Sequence, residues 1–197
     1  MIASKITDLI GNTPMLKLKM KNNDWNVFLK LEKFNPGGSM KDRMALNMIE
    51  EAEKSGQLKP GGTIIESSSG NTAIGLAIAS AIKGYHFIAV VDHHASKEKI
   101  DMIKAYGAEI VVVGDGYKAN EVAVIEREKT AKRMSEEMEN AFFPNQADNF
   151  NNRAAYIDTL ADELINDITT INSFYAAIGT GGSACGTAMG LKKRNSN

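Results

Sequence analysis

The chain has 197 residues, 43% hydrophobic and 24% charged, with a formal net charge of −1, an ordinary balance for a globular protein. That charge excludes a partner drawn by bulk electrostatics, whether nucleic acid or an anionic membrane; no apolar run approaches a bilayer span, and the opening Met-Ile-Ala-Ser-Lys lacks a signal-peptide core. The single cysteine, Cys185, cannot form an internal disulfide, which points to a reducing cytoplasm.

The pattern alternates strand and helix. Met15 to Lys19 and Val27 to Leu31 are expected strands. Lys41 to Lys54 is an expected helix, with Met44/Ala45, Met48/Ile49 and Ala52 at helical spacing and Gly56 as its stop. Thr63 to Glu66 is a short strand. Thr72 to Ile82 is apolar on nearly every face and predicts a buried helix. A strand over Phe87 to Val91 and a helix from Ser96 to Tyr106, capped by Ser96 and ended by Gly107, follow. Glu109 to Val113 is a strand, and a charged helix is expected from about Lys118 to Met138. Asn151 to Asn166 reads as one amphipathic helix through Tyr156, Ile157, Leu160 and Leu164. Phe174 to Ile178 is an expected strand leading into Gly179-Thr-Gly-Gly-Ser183, and a last helix runs to about Lys193. This alternation predicts an α/β fold with a largely parallel sheet, whose ligands lie at the carboxyl ends of the strands.

Three junctions suit a small anionic ligand. In Asn35-Pro-Gly-Gly-Ser-Met-Lys41, a lysine opens a helix. The macrodipole disfavours a cation there, which favours the neutral amine that Schiff-base chemistry needs; the plainer reading is a solvated surface lysine. In Glu66-Ser-Ser-Ser-Gly-Asn71-Thr72, free N–H groups at a helix start can hold a carboxylate, although Ser68 or Ser69 as a simple N-cap explains the same residues. Gly179-Thr-Gly-Gly-Ser183 has the strand-to-helix setting of a phosphate-binding turn. Gly179-x-Gly181-x-x-Ala184 and Gly114-x-Gly116-x-x-Ala119 also fit a dinucleotide fingerprint, but neither is followed by a suitably placed acidic residue. His93-His94 is read as a surface loop rather than a metal site, His86 as a strand edge, Cys185 as packing, and Glu126 to Glu139 as a solvated helix face.

Together these loops resemble the cysteine synthase and cystathionine β-synthase family, the fold-type II pyridoxal-phosphate enzymes. The resemblance is carried by Ile6-Thr-Asp-Leu-Ile-Gly-Asn-Thr-Pro-Met15, the loop Asn35 to Arg43, Ser68-Ser-Gly-Asn-Thr72, Asn145-Gln146 and the turn Gly179 to Ser183, in family order from about Ile6 to Lys193. It implies two three-layer αβα domains with mostly parallel sheets: a smaller mobile one over residues 35–144, and a larger, incomplete one from 1–34 plus 145–197. It implies pyridoxal 5'-phosphate as cofactor, with Lys41 as the catalytic Schiff-base lysine and Asn71, Gly179, Thr180, Gly181, Gly182 and Ser183 as further cofactor contacts. Ser68, Ser69, Gly70, Thr72 and Gln146 would hold the substrate carboxylate.

The chemistry implied is β-replacement on an O-activated serine, such as O-acetylserine or O-phosphoserine, through an aminoacrylate. A small amino-acid substrate and a homodimer follow from the same likeness, with no metal. Ala147-Asp-Asn-Phe150 and Asp92-His-His-Ala95 depart from the common pattern near the expected substrate entrance, leaving sulfide or an amine as nucleophile. Family members continue past the helix after the glycine turn, so the resemblance also implies a chain that stops short, with impaired activity unless another chain completes it. A non-catalytic pyridoxal-phosphate-binding fragment or partner module, a serine/threonine dehydratase-like lyase and a dinucleotide binder are the competing readings.

Overall fold

The structure, a computed structural model, describes residues 2–21, 25–114 and 123–194. Residues 116, 118 and 119, where the second fingerprint and the start of the charged helix were expected, lie outside the described residues.

Strands β1 (Met15–Leu18) and β2 (Val27–Lys30) pair antiparallel, Met15 opposite Lys30. Then come α1 (Lys41–Ser55), β3 (Thr63–Ser67), α2 (Asn71–Lys83), β4 (His86–Asp92), α3 (Lys97–Ala105), β5 (Glu109–Val113), α4 (Val124–Glu137), β6 (Ala141–Phe142), α5 (Phe150–Ile157), α6 (Leu160–Asp167) and α7 (Gly182–Arg194). The second sheet is parallel, in the order β5-β4-β3-β6. The α/β class and the parallel sheet match the expectation.

The alternation of side chains along a strand sorts this sheet's apolar residues between two faces. Ile64, Phe87, Ala89 and Val91 meet α1, α2 and α3 through residues such as Ile49, Leu76 and Ile103. Ile65, Ile88 and Val90 face the other way, under Ala131 of α4. A second core lies among helices: Met44 and Met48 of α1 pack with Ala155, Tyr156, Leu160, Leu164 and Leu191. Helix α1 thus serves both cores, Ala45, Ile49 and Ala52 on one side and Met44 and Met48 on the other. Its first residue is Lys41.

A buried ion network fixes α1 further. Arg43 donates to both oxygens of Glu32 at 2.8 Å and to Glu163 at 2.6 and 2.9 Å. Lys30 adds a 2.9 Å pair to Glu163. Thr13 and Asn35 complete the shell of Glu32. Burial pushes Glu163 up, but the hydrogen bonds from Arg43 and Lys30 outweigh it and bring its carboxyl to about 2.

Two expected elements differ, and one strand appears that was not expected. The single helix over 151–166 is two helices, broken at Asp158 and Thr159. Thr159 leaves helical geometry at φ −121° and ψ −77°, and its hydroxyl bonds back to the Ala155 carbonyl, the local competition that makes threonine a weak helix interior residue. The expected strand over Phe174 to Ile178 does not form. A strand needs a neighbour for its N–H and C=O groups, none pairs with this segment among the described residues, and Tyr175 and Ile178 stay 90% and 77% exposed. The short strand β6, paired parallel to β3 through Thr63–Ala141 and Ile64–Phe142, was not expected.

Candidate active site

In a parallel sheet, adjacent strands deliver their outgoing loops side by side. Because β6 lies next to β3, the loop after Ser67 and the loop after Phe142 meet, although they are far apart in sequence. Thr72 donates its hydroxyl to the Gln146 side-chain oxygen at 2.7 Å. Beneath them lies Glu66, 1% exposed. It accepts from Ser67 N at 2.8 Å and from Gln146 N at 3.1 Å. Burial raises its carboxyl to about 7 against the pull of those two N–H groups, and the charge of Glu128 adds to the rise.

Ser68 and Ser69 do not cap α2, contrary to the plain N-cap reading. The N-cap is Gly70, without a side-chain cap, and the Ser68 hydroxyl turns to accept from Gly70 N at 3.2 Å. The first N–H groups of α2 are therefore left without a side-chain acceptor, the condition in which a helix start receives an anion. Asn71 is exposed at this mouth and Thr72 is buried beside it.

Lys41 is half-buried at the start of α1, and desolvation lowers its pKa below that of an ordinary lysine. Its neighbour Asp42 is buried and accepts from Gly37 N, which straps the Pro-Gly-Gly loop onto the helix. Burial raises the Asp42 carboxyl to about 6.

One helix ties the lysine to the glycine turn. Tyr156 of α5 donates its hydroxyl to the carbonyl of Met40 at 3.0 Å, next to Lys41. Asn152, one turn earlier on the same face, donates to Thr180 Oγ1 at 3.1 Å and to the Gln146 carbonyl at 2.7 Å. The turn itself passes through Gly181 at φ +85°, a conformation that favours glycine. A side chain at Gly182 would overlap the Asn152 amide, one at Gly186 the carbonyl of Arg153, and one at Gly190 the carbonyl of Ile157. Helix α7 therefore lies against α5 along a glycine seam, with the turn 179–183 at its start.

The structure joins Gln146 to Thr72 and, through Asn152, to Thr180 of the glycine turn; Lys41 is connected to them through the backbone, by the Met40 carbonyl that Tyr156 holds. The structure leaves His86, His93, His94 and Cys185 exposed, with the rings of His93 and His94 tilted against each other at 4.2 Å. Glu66, Asn152 and Tyr156 were not singled out from the sequence. Only Glu66 carried a signal there: a carboxylate within the apolar strand Thr-Ile-Ile-Glu.

An α/β chain in which a parallel sheet sends out an uncapped helix start, with a desolvated lysine at the head of α1 and a glycine turn at the head of α7, has the design of a fold-type II pyridoxal-phosphate enzyme. The chain belongs to the pyridoxal-phosphate dependent enzyme family, which residues 6–197 match. A cysteine synthase from Staphylococcus aureus is 43% identical over 196 residues, 98% of this chain and 61% of that protein. Among solved structures, a hydrogen sulfide-producing enzyme from Fusobacterium nucleatum superposes with a TM-score of 0.90 at 40% identity, covering 100% of this chain and 64% of that one. An O-acetylserine dependent cystathionine β-synthase from Helicobacter pylori gives 0.89 at 36% identity, covering 98% and 63%. The chain spans 58–62% of the length of the first curated relatives it matches.

The residues present fit the family's cofactor, pyridoxal 5'-phosphate. An aldehyde needs an amine that gives up its proton readily, which burial supplies at Lys41. A phosphate monoester needs backbone N–H groups at a helix start; the turn through Gly181 at the head of α7 would offer them, the Gly182 N–H making only a long 3.5 Å contact to Thr180 Oγ1.

Proposed function

We propose that this chain carries the catalytic loops for β-replacement on an O-activated serine, with Lys41 as the cofactor lysine. The observation that carries the proposal is a desolvated Lys41 whose preceding carbonyl is held by the same face of α5 that bonds the glycine turn and the Gln146 loop. Lys41, Asn71 and the turn Gly179, Thr180, Gly181, Gly182 and Ser183 hold pyridoxal 5'-phosphate. When bound, that group supplies an electron sink for the bond-breaking at the substrate α-carbon. Lys41 Nζ, once free, accepts the substrate's α-proton.

Ser68, Ser69, Gly70 and Thr72 offer hydroxyls and N–H groups to the substrate carboxylate. Gln146 joins them: its side-chain oxygen is occupied by Thr72, which leaves its NH2 to donate. The Helicobacter pylori relative depends on O-acetylserine, which belongs to the O-activated serine class. Residues 35–144 belong to the smaller, mobile domain and 1–34 with 145–197 to the part of the larger one that this chain covers; the sheet core lies wholly in the first, while α1 also packs into the helical core of the second. A cytoplasmic setting and a homodimer belong to the same proposal. Apolar residues exposed on β1 and β2, Leu16 and Leu29 among them, support the association. Among the described residues no helix is long and apolar enough to cross a membrane.

The test is a titration with pyridoxal 5'-phosphate. A visible absorbance band is expected in the wild type and lost in Lys41→Ala, and O-acetylserine with sulfide should be consumed. A band without turnover reduces the chain to a cofactor-binding module. No band at all refutes the proposal.

A further inference from the structure

Asn152 is 2% exposed and lies on none of the three candidate loops. Both of its amide hydrogens are committed, one to the Gln146 carbonyl at 2.7 Å and one to Thr180 Oγ1 at 3.1 Å. Its oxygen is buried without a hydrogen-bond partner among the described residues and lies where any side chain at position 182 would have to go. An orphaned buried amide oxygen is destabilising, so a residue chosen only for packing would be apolar here. What an apolar residue cannot do is donate to two loops at once.

The connection continues on both sides. From Gln146 it runs to Thr72 at the start of α2 through a 2.7 Å bond, and down to Glu66 through the Gln146 N–H. From Thr180 it enters the glycine turn directly. A single chain of hydrogen bonds, Thr72–Gln146–Asn152–Thr180, therefore joins the two anion-binding loops, anchored on rigid α5. Helical position fixes the anchor: Asn152 shares its face of α5 with Tyr156, which holds the backbone beside Lys41.

We propose that Asn152 is a positioning residue that couples the two loops, so that a phosphate seated in the glycine turn fixes Gln146 for an incoming amino-acid carboxylate. The inference rests on the assignment of the 179–183 turn to the cofactor phosphate. It makes cofactor loading a precondition for ordered substrate capture, because the Gln146 carbonyl is held by the same amide that holds Thr180.

Hydrogen exchange resolved by residue, with saturating pyridoxal 5'-phosphate as the probe, reads this without turnover. In the wild type the ligand should slow exchange at 181–183 and, with the same dependence on concentration, at the Gln146 amide, by about fivefold for the equivalent of one hydrogen bond. In Asn152→Leu, and in Asn152→Ala, which removes both donors without adding bulk against Gly182, protection at 181–183 should persist while the effect at Gln146 is lost. Undiminished protection of Gln146 in either variant, or none in the wild type despite a protected turn, overturns the coupling and leaves the site assignment standing. No protection of the turn and no visible band overturns both.

Discussion

The buried carboxylate under the site gives the sharpest quantitative test. Glu66 sits at the end of β3 with two backbone N–H groups on it and almost no solvent. Its carboxyl ionises near 4.5 in the unfolded chain and at about 7 in the folded one, chiefly because burial disfavours the charge. A carboxyl that holds its proton more tightly when folded makes stability fall as pH rises from the unfolded value to the folded one, and level off above it. At about 1.4 kcal/mol per pKa unit, that fall is ~3 kcal/mol between pH 4.5 and 7. Glu66→Gln keeps the shape and removes the titration. It also leaves an NH2 facing one backbone N–H, a pH-independent cost of about 1–3 kcal/mol. Urea denaturation of both proteins at pH 5, 6, 7 and 8 isolates the titrating part: the wild type should lose stability relative to the variant by ~3 kcal/mol across that range. Asp42, raised to about 6, is present in both and cancels in the difference. Parallel stability curves would show that Glu66 titrates alike in both states, and the reasoning from burial would fail.

Other outcomes follow from the packing. Arg43→Met removes the cation shared by Glu32 and Glu163 and should cost about 3–5 kcal/mol at pH 7, because two carboxylates are left facing each other. Glu163, held at about 2, stabilises the fold above pH 4.5 and loses that effect as pH falls toward 2, so denaturation curves of the two proteins should converge in acid. Gly186→Ala tests the helix seam: helix propensity alone favours alanine by about 1 kcal/mol, but the added Cβ meets the Arg153 carbonyl and Tyr156. A net loss of about 1–3 kcal/mol is expected in thermal unfolding; a rise in Tm would mean that α5 and α7 are not in close contact.

Elements with strong local signals were legible in the sequence. Helix α2 is announced by its unbroken apolar run, α3 by Ser96 and Gly107, and β3 to β5 by β-branched stretches between turns. Lys41, the 68–72 loop and the glycine turn stand out in the sequence as candidates because special residues cluster at junctions. What stayed hidden depends on neighbours. The two residues of β6 carry no periodicity and exist as a strand only because β3 is alongside. The break at Thr159 is worth one side-chain hydrogen bond, invisible in a pattern that stays amphipathic on both sides. The segment 174–178 has strand composition but no pairing partner among the described residues, and composition does not provide one. Asn152 looks like any polar residue on a helix until α7 and the Gln146 loop close over it.

The glycine seam has a consequence for how the molecule assembles. Three glycines on one stripe make α7 a poor helix by itself, each about 1 kcal/mol worse than alanine. Its persistence is borrowed from contact with α5. The turn at its head is thus conditional structure, held in place only while α7 stays docked on α5.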